Sequence, residues 1–348
     1  MTATGRAGQP VNGHRLAAFT WDQHCCLRLS ADCDITPLTR YTNVGVGYVS
    51  VNVGYAPHDI EETVRVLSSF RRQVLRRPDS FVLATSVEDI ASAQRTRRLA
   101  VGFDLEDTNP LGGQIAMIQA YYDLGVRSML MTYNEVNRAG AGCHAGRDEG
   151  LTSFGRAVVE EMNLIGMMVD VSHCGYRTSM DVLERSSAPV IFSHSSMRGV
   201  WDHERNIRDD QALACARTGG VIGINGVGIF LADNDASALA MARHIDYAVQ
   251  LVGPEHVGIG TDYVFDHDDL NRELARNPGI FPESYRRWDR VDFLPPEQLV
   301  PLEAELMHLG YSEKDTRAIM GGNFLRVARQ TWKPPLSPNP SAGAVSAR

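Results

Sequence analysis

Two histidines follow two similar apolar segments in the middle of the chain. Residues 167–171 (MMVDV) lead to His173, and residues 189–192 (PVIF) lead to His194. Short apolar segments that are bounded by Gly or Pro and rich in bulky residues are typical of buried strands. With a helix predicted over residues 177–187, the region forms a βαβ unit that delivers one histidine at the end of each parallel strand. Two unrelated core or helix-capping histidines are the alternative interpretation.

Polar residues that can bind a metal or move a proton follow several other predicted strands as well. The residues at the C-terminal ends of the predicted strands are His24, Glu106, Tyr133, His173, His194 and Asp262. Because the carboxyl ends of parallel strands meet at one edge of a sheet or barrel, these side chains are expected to converge on one pocket. Imidazole nitrogens and carboxylate oxygens suit zinc and similar divalent ions. Such an ion lowers the pKa of bound water and polarises a carbonyl, and a carboxylate not committed to the ion can transfer the proton.

Each of these residues also has a simpler interpretation when it is taken alone. Glu106 lies among other acids in FDLEDTN and is compatible with a solvated loop, whereas Asp262 is compatible with a helix cap. His24 lies beside two cysteines and is compatible with plain packing. The joint arrangement at the strand ends therefore carries the prediction of a metal centre.

Arg205 adds a positive charge near the same edge. It follows His194 in the segment HERNIRDD, in the loop after the sixth predicted strand. A guanidinium at this place is suited to binding a substrate carboxylate through two parallel hydrogen bonds. A surface ion pair with a neighbouring acid is the alternative.

The elements that must position these residues are eight predicted strands separated by helical segments. The predicted strands cover residues 17–22, 46–53, 98–105, 126–132, 167–171, 189–192, 220–225 and 256–261. Glycines such as Gly125 and Gly166 directly precede strands, where the left-handed conformation that ends many helices suits them. The alternation predicts an α/β fold, a (β/α)8 TIM barrel of the metal-dependent hydrolase type. An open, doubly wound sheet is the alternative, although neither a GxGxxG after the first strand nor a GxxxxGK[ST] motif is present.

The composition is that of a globular protein and limits its partners. The chain has 348 residues, of which 43% are hydrophobic and 22% charged, and its formal net charge is −8. This charge argues against a nucleic acid bound through its phosphates, and the apolar segments are too short to cross a membrane. Because the N-terminus lacks the apolar stretch of a signal peptide, a cytoplasmic location is expected. We predict a flexible leader over residues 1–14, a single barrel domain over 15–332 and a disordered tail over 333–348.

Longer segments around the candidate ligands resemble the renal (membrane) dipeptidase family, which comprises zinc-dependent hydrolases of the amidohydrolase superfamily. The segments that carry the resemblance are GLTSFGRAVVEEMNLIGMMVDVSHCG, APVIFSHSSMRGVWDHERNIRDD, HVGIGTDY and GGNFLRVA. The resemblance covers roughly residues 98–330, and the first hundred residues match less well.

The resemblance implies a (β/α)8 barrel with two zinc ions per chain and a homodimeric assembly. Glu106 would bridge the two ions, His173 and His194 would hold one of them, and His24 would belong to the other. Arg205 matches the arginine that binds the C-terminal carboxylate of the substrate, and Asp262 matches the aspartate that shuttles a proton. Members of the family cleave dipeptides and often tolerate a D-residue at the C-terminal side.

The chain departs from the family pattern at two positions of the site. The family motif Asp-Gly-His-Asn-Asp corresponds here to residues 22–26 (DQHCC), so that Cys26 replaces the final aspartate ligand. A thiolate binds zinc well, so Cys26 either serves as a ligand or leaves that ion weakly bound and the site with one metal. Tyr133 stands where the family has a histidine near the scissile carbonyl, and a tyrosine can still donate a hydrogen bond to a developing oxyanion.

These observations predict a metal-dependent hydrolase that cleaves the amide bond of a dipeptide or dipeptide-like substrate by attack of a metal-bound hydroxide. Asp262 would take the proton of the water and pass it to the leaving amine, Tyr133 would assist the oxyanion, and Arg205 would hold a carboxylate. A one-metal amidohydrolase that acts on a different amide or lactone is the first alternative. A catalytically silent family member that binds a ligand is the second. The long stretch 263–295 is expected either to cover the mouth of the barrel or to form a dimer contact.

Overall fold

The computed structural model describes residues 15–334, and its strands form a closed parallel barrel. The strands are β1 (Trp21–Cys26), β2 (Tyr48–Tyr55), β3 (Phe81–Leu83), β4 (Leu99–Glu106), β5 (Val126–Leu130), β6 (Met168–Asp170), β7 (Val190–Phe192), β8 (Val221–Ile224), β9 (Val257–Ile259) and β10 (Tyr263–Val264). Eight of them follow the order β1-β2-β4-β5-β6-β7-β8-β9, and β9 pairs back with β1. The predicted (β/α)8 barrel is therefore confirmed.

Helices alternate with the strands of the barrel. They are α1 (Thr39–Val44), α2 (Ile60–Leu75), α3 (Val87–Arg95), α4 (Met117–Leu124), α5 (Ser153–Ile165), α6 (Tyr176–Arg185), α7 (Asp209–Arg217), α8 (Gly228–Leu231), α9 (Ala238–Val252), α10 (His267–Arg276), α11 (Leu299–His308), α12 (Glu313–Arg317) and α13 (Asn323–Thr331). Gly125 and Gly166 end α4 and α5 with φ of 110° and 95°, as their positions before strands predict. Among the described residues, no helix has both the length and the apolar composition that crossing a membrane would require.

The first strand begins later than its apolar residues indicate. Residues 17–22 were the predicted strand, but β1 runs over Trp21–Cys26 because its later residues pair with β2, β9 and β10. His24 and Cys26 therefore lie within β1 and not after it. Two further strands have no counterpart in the predicted set: β3 pairs with the first residues of β4, and β10 extends the edge of β1.

The N-terminal end of the barrel is closed by its own side chains. The ring of Trp21 stacks on Tyr48 at 3.8 Å and lies 6.2 Å from Phe324 of α13. These rings form a buried cluster with residues from the starts of several strands, among them Met168 and Val221. Because this end is filled, the carboxyl ends of the strands are left as the place for a binding site.

Residues 263–295 cover the mouth at that opposite end. This segment contains β10, α10 and a 3₁₀ turn at Glu283–Arg286. Its Phe281 and Tyr285 belong to a third buried cluster that also contains Tyr55 and Tyr133, two residues at strand ends. This stretch was expected either to cover the mouth of the barrel or to form a dimer contact. Its contacts within the described chain bear out the first role.

The predicted leader, 1–14, lies outside the described residues, as does most of the predicted tail. Lys333, at the start of that tail, is described, and its ammonium group donates to the carbonyl oxygens of Asn163 and Leu164 at 3.1 and 2.7 Å.

Candidate metal centre

One carboxylate oxygen lies at the centre of three histidines. Oε1 of Glu106 is 3.5 Å from Nε2 of His24, 3.3 Å from Nε2 of His173 and 3.4 Å from Nε2 of His194. The two nitrogens of His173 and His194 are 3.0 Å apart. All four side chains are buried, although they come from four different strand ends. The structure thus brings together four residues that the strand-end pattern singled out.

Each of the three histidines is held through its other ring nitrogen. Nδ1 of His24 lies 3.0 Å from a carboxylate oxygen of Asp104, and Nδ1 of His173 lies 2.7 Å from Oδ1 of Asn134. The amide of Asn134 is oriented by its nitrogen, which donates to the carbonyl of Ile280 at 3.1 Å, so that its oxygen faces the ring. Because these partners accept hydrogen bonds, they keep the proton on Nδ1 and leave a lone pair on Nε2. Metal-binding histidines in proteins are usually held in this way.

The ring of His194 follows the same arrangement. Its Nδ1 lies 2.7 Å from Oγ of Ser193, an atom that can accept the ring proton. The ring stacks on that of His24, with centroids 4.1 Å apart. Both Nε2 atoms therefore face the oxygen of Glu106.

The spacing of these donor atoms fits a metal ion. Zinc bound by nitrogen and oxygen at about 2.0–2.1 Å in a tetrahedral site separates its ligand atoms by about 3.3–3.4 Å. The distances among Glu106, His173 and His194 lie between 3.0 and 3.4 Å. Two imidazoles and a carboxylate, with lone pairs aimed at one space, are also a donor set that zinc prefers.

Cys26 and Asp262 extend the cluster on the side of His24. Sγ of Cys26 is 3.4 Å from Nε2 of His24 and 3.8 Å from Oδ1 of Asp262, and this oxygen is 3.6 Å from the same nitrogen. His24, Cys26 and Glu106 therefore form a second group of donor atoms that share Oε1 with the first. The structure brings both residues next to the histidines, as predicted.

The backbone holds Asp262 in an unusual conformation. Its φ is 55°, which only a few residue types adopt readily, Asp and Asn among them. Asp22 secures this turn, since its carboxylate accepts the backbone N–H of Thr261 at 2.7 Å. The side-chain amide of Asn225 donates to Oδ2 of Asp262 at 3.0 Å, which leaves Oδ1 facing His24.

Burial and mutual charge shift the pKa values of the cluster. Burial raises the pKa of Glu106 to about 8 against the opposing effect of His24, and it also raises the pKa of Asp262. Burial and the positive charge of Arg205 hold the pKa of His173 and of His194 well below the usual value. Both rings are therefore neutral near pH 7, the form in which imidazole binds a metal.

The other half of the cluster behaves differently. Burial lowers the pKa of His24, but the nearby Asp104, Cys26 and Glu106 outweigh it, so that the pKa is raised well above its usual value. Burial raises the pKa of the Cys26 thiol to about 12. Without a cation, a proton therefore stays on this side of the cluster, and a metal ion must displace protons to bind there.

Tyr133 lies beside the histidines and forms one wall of the pocket. Its ring stacks on His173 with centroids 4.3 Å apart, and its backbone N–H donates to Asp107 at 2.7 Å. Burial raises the pKa of its phenol well above the usual value, so the hydroxyl stays a hydrogen-bond donor.

Arg205 lies behind the histidines and is 3% exposed. Its two terminal nitrogens donate to Oγ of Ser195 at 3.0 Å and to the carbonyl of His194 at 2.7 Å. Its Nε has no hydrogen-bond partner within residues 15–334. The guanidinium carbon lies 5.8 Å from the ring of Phe230, which lines the cavity while Arg205 does not. The arginine therefore supports the loop of His194.

The cavity in front of the cluster has a volume of about 190 Å³. Aromatic rings from the strand ends and the covering segment form much of its wall: Tyr55, Tyr133, Phe230, Phe281, Tyr285 and Phe293. Contacts at several points fix the covering segment, including a hydrogen bond of 3.0 Å between His144 and Tyr285 and one of 2.6 Å from Ser284 to Glu204.

Several residues that position the ligands were not predicted from the sequence. Asn52 donates to Oε2 of Glu106, Asp104 holds His24, Asn134 holds His173, and Asn225 holds Asp262. A signal existed for Asp104, because it precedes Glu106 by two residues and alternate residues of a strand share one face. Asn225 could have been identified in the same way as the other site residues, because it is a polar residue at the end of a predicted strand.

Comparison with known proteins agrees with this geometry. A sequence model of the family described as Membrane dipeptidase (Peptidase family M19) matches residues 17–274. The chain belongs to the membrane dipeptidase family. The match includes every ligand candidate named above. Membership in this family of metallopeptidases explains why the donor set at the strand ends is suited to a metal.

Relatives of this family member include named dipeptidases. It is 34% identical over 272 residues to an uncharacterized dipeptidase of Schizosaccharomyces pombe, covering 72% of this chain and 64% of that protein. It is 34% identical over 255 residues to Dipeptidase 3 of Rattus norvegicus, covering 71% of this chain and 48% of that protein. The matched region thus spans about half to two thirds of the length of these relatives.

Solved structures share the barrel of this family member. An amidohydrolase from Pseudomonas aeruginosa has a TM-score of 0.82 and 26% identity, covering 90% of this chain and 97% of that one. A metallopeptidase from Rhodobacter sphaeroides, liganded with a phosphinate mimic of the dipeptide L-Ala-D-Ala, has a TM-score of 0.73 and 19% identity, covering 90% and 99%. At that identity the second likeness concerns the fold alone.

Proposed function

We propose that this chain is a metal-dependent hydrolase that cleaves the amide bond of a dipeptide or a dipeptide-like substrate. The observation that carries the proposal is the convergence of three imidazole Nε2 atoms on one oxygen of Glu106, at 3.3 to 3.5 Å. Membership in the membrane dipeptidase family supports the choice of a peptide bond as the target.

The proposed metal is zinc, because the donors are imidazole, carboxylate and thiol. Glu106, His173 and His194 would hold one ion, and His24 and Cys26, with Glu106, would hold a second. When bound, the metal would supply a lowered pKa for water and would polarise the carbonyl of the amide whose C–N bond is to be cleaved. Asp104, Asn134 and Ser193 keep the ring nitrogens oriented for this task.

Asp262 is proposed to transfer the proton. Its Oδ2 accepts from Asn225, and its Oδ1 faces the cluster with only the weak thiol donor of Cys26 at 3.8 Å, so Oδ1 can accept a proton from water and return it to the leaving amine. Burial raises the pKa of Asp262, which brings the carboxylate closer to the range that a general base and acid needs.

Tyr133 and Arg205 are proposed to bind the substrate. The phenol of Tyr133 stays protonated and can donate to an oxygen that gains charge during attack. Among the described residues, the guanidinium of Arg205 makes one hydrogen bond from each terminal nitrogen and none from Nε, so N–H donors remain for a substrate carboxylate.

A metal count combined with a dipeptide assay tests the proposal. The purified protein is stripped with a chelator, reloaded with zinc, and assayed on a panel of L,L and L,D dipeptides. We expect activity that disappears on chelation and returns with zinc. A protein that binds no metal and cleaves none of the panel would contradict the proposal.

A second candidate is a one-metal amidohydrolase acting on another amide or lactone. Two observations favour it: Cys26 replaces an aspartate ligand, and Asn52 donates to Oε2 of Glu106, so that one lone pair of this oxygen is already engaged. Two zinc ions per chain would support the first candidate, and one ion the second. The variant Cys26→Asp should gain dipeptidase activity if the missing carboxylate limits the reaction, and an unchanged rate would reject that explanation.

The homodimer and the cytoplasmic location stay predictions. Light scattering on the purified full chain measures the first, and fractionation of the producing cells measures the second.

A further inference from the structure

The cavity in front of the metal centre has an acidic end that the proposed reaction does not use. Three carboxylates of the covering segment line the cavity: Asp266, Asp269 and Glu273. They belong to α10 and its N-terminal cap, and none of them contributes to the ligand cluster.

We infer that Glu273, with Asp269, binds a cationic side chain of the substrate, so that the cavity prefers a dipeptide carrying lysine. This inference rests on the proposed function and names the substrate class of the same site. Four observations on the described residues carry it.

The first observation is the position of Glu273 relative to the metal centre. Tyr133 stacks on the ligand His173, Tyr55 packs edge-on against Tyr133 at 5.4 Å, and the hydroxyl of Tyr55 donates to Glu273 at 2.9 Å. The acid therefore lies two aromatic rings away from the ligands. The α-amino group of a dipeptide is attached next to the scissile carbonyl, so a cation at the end of a long stem, such as the four-carbon stem of lysine, is better suited to this position.

The second observation is that Glu273 is fixed and still accessible. Its Oε2 accepts from Tyr55 and from the side-chain amide of Asn277, each at 2.9 Å. Its Oε1 is 3.9 Å from Arg276, a residue that is 68% exposed, so this contact is loose. The side chain of Glu273 is 32% exposed, and Oε1 remains available to a ligand.

The third observation is an unpaired imidazole nitrogen at the same end of the cavity. His58 lines the cavity and lies 5.2 Å from the ring of Tyr55. Its Nδ1 is buried and has no hydrogen-bond partner among the residues described. A lysine ammonium group carries three N–H donors, and one end of the cavity offers it two carboxylates, Glu273 and Asp269, and the Nδ1 of His58, which accepts when the ring proton is on Nε2.

The fourth observation is the charge of the cavity wall. Arg28 is the arginine that lines it, and its guanidinium lies 3.2 Å from Asp32. Asp269 has a partner of its own, since Arg272 lies 3.0 Å from its Oδ1, outside the cavity. The neighbouring ion pairs weaken the electrostatic attraction of Asp269 for a cation more than that of Glu273. Glu273 is therefore the main determinant of the preference for lysine. The apolar rings between this end and the metal centre suit the methylene stem of the lysine.

Matched pairs of dipeptides test the inference. Lysine and norleucine have side chains of similar length and differ in the charge, so kcat/KM is compared for Lys-Ala with Nle-Ala and for Ala-Lys with Ala-Nle. We expect the lysine peptide to be preferred about two- to fivefold at one of the two positions, as a partly exposed ion pair predicts. The preference should shrink as the ionic strength rises.

Variants assign the preference to the acids. The double variant Glu273→Gln with Asp269→Asn should bring the ratio of lysine to norleucine close to one. Glu283→Gln removes the same charge from an exposed acid of the covering segment that does not line the cavity, and it should leave the ratio unchanged. Equal rates for both peptides of each pair in the unmodified protein would overturn the inference, and so would a preference that survives in the double variant.

The failure of this inference differs from the failure of the proposed function. Cleavage of the peptides without a lysine preference rejects the inference alone. If no peptide is cleaved, the proposed function fails, and calorimetric binding of the same peptides still decides the inference. Tighter binding of the lysine peptide that is lost in the double variant supports it, and equal binding rejects it.

Discussion

The metal centre and the segment that covers it are built in opposite ways. The candidate ligands His24, Glu106, His173 and His194 are nearly inaccessible, and each is held by a partner such as Asp104 or Asn52. The covering segment, residues 263–295, consists of short helices and turns, and its acids at the cavity are a quarter to a third exposed. The pocket thus has one rigid, buried wall at the metal centre, which suits catalysis, and a more exposed wall formed by the covering segment.

This difference assigns separate tasks to the two regions. Groups that bind a metal must keep their geometry to within a few tenths of an ångström, so they lie at the carboxyl ends of the strands of a closed barrel or directly after them. Groups that select a side chain tolerate more movement and lie in loops, which vary without loss of the fold. Changes at the centre should therefore abolish the reaction, whereas changes in the covering segment should alter its selectivity.

The largest effect is expected from the loss of a ligand. His194→Ala should lose metal and reduce kcat/KM by about 10³-fold or more, because the metal contributes several kcal/mol to the reaction. Metal analysis and a dipeptide assay measure both. His308→Ala is the control, since the side chain of His308 is 77% exposed on α11. A His194 variant with normal metal content and activity would remove this residue from the centre.

The next effect separates proton transfer from metal binding. Asp262→Asn should keep its metal and lose about 10²–10⁴-fold in kcat, since the amide cannot accept the proton. Asn also tolerates the φ of 55°, so the turn is preserved. Asp268→Asn, an exposed neighbour, serves as the control. Unaltered turnover, or loss of the metal, would contradict the role proposed for Asp262.

An intermediate effect is expected from a residue that orients a ligand. Asp104→Asn should weaken metal binding or activity about 10- to 100-fold, because the carboxylate strengthens His24 as a ligand. Titration of the metal-free protein with zinc gives the affinity. Asp123→Asn, on the exposed side of α4, provides a matched loss of charge. Equal affinities for the two variants would show that His24 does not bind the ion.

The smallest effect is expected in the covering segment. Tyr285→Phe removes the hydrogen bond to His144, which is worth about 1 kcal/mol, and should change KM up to about fivefold at an unchanged metal content. Tyr247→Phe, in α9, removes a tyrosine hydrogen bond to Asp209 of α7 that does not involve the covering segment, and it should leave KM unchanged. Loss of metal from the Tyr285 variant would mean that the covering segment also determines metal binding, so that its task is not separate from that of the metal centre.

Much of the centre was predictable because its residues follow a local rule. His173 and His194 each end an apolar strand, and Glu106 ends another, so the periodicity of the sequence located them. Asn134 and Asn52 could not be found in this way, because asparagines are common near strand ends and only the contact with a ligand distinguishes these two. The start of β1 was misplaced, because its apolar residues lie before the strand and pairing with three neighbours sets its limits.

The sequence by itself determined the alternation of strands and helices, the residues that end the strands and the family to which the chain is similar, since these depend on local patterns. The tertiary structure decided which nitrogen of each histidine is free, how Cys26 and Asp262 approach His24, and that Arg205 lies behind the cavity wall. It also decided that residues 263–295 cover the mouth and place three acids in the wall of the cavity. These features depend on contacts between residues far apart in the chain, which no local pattern encodes.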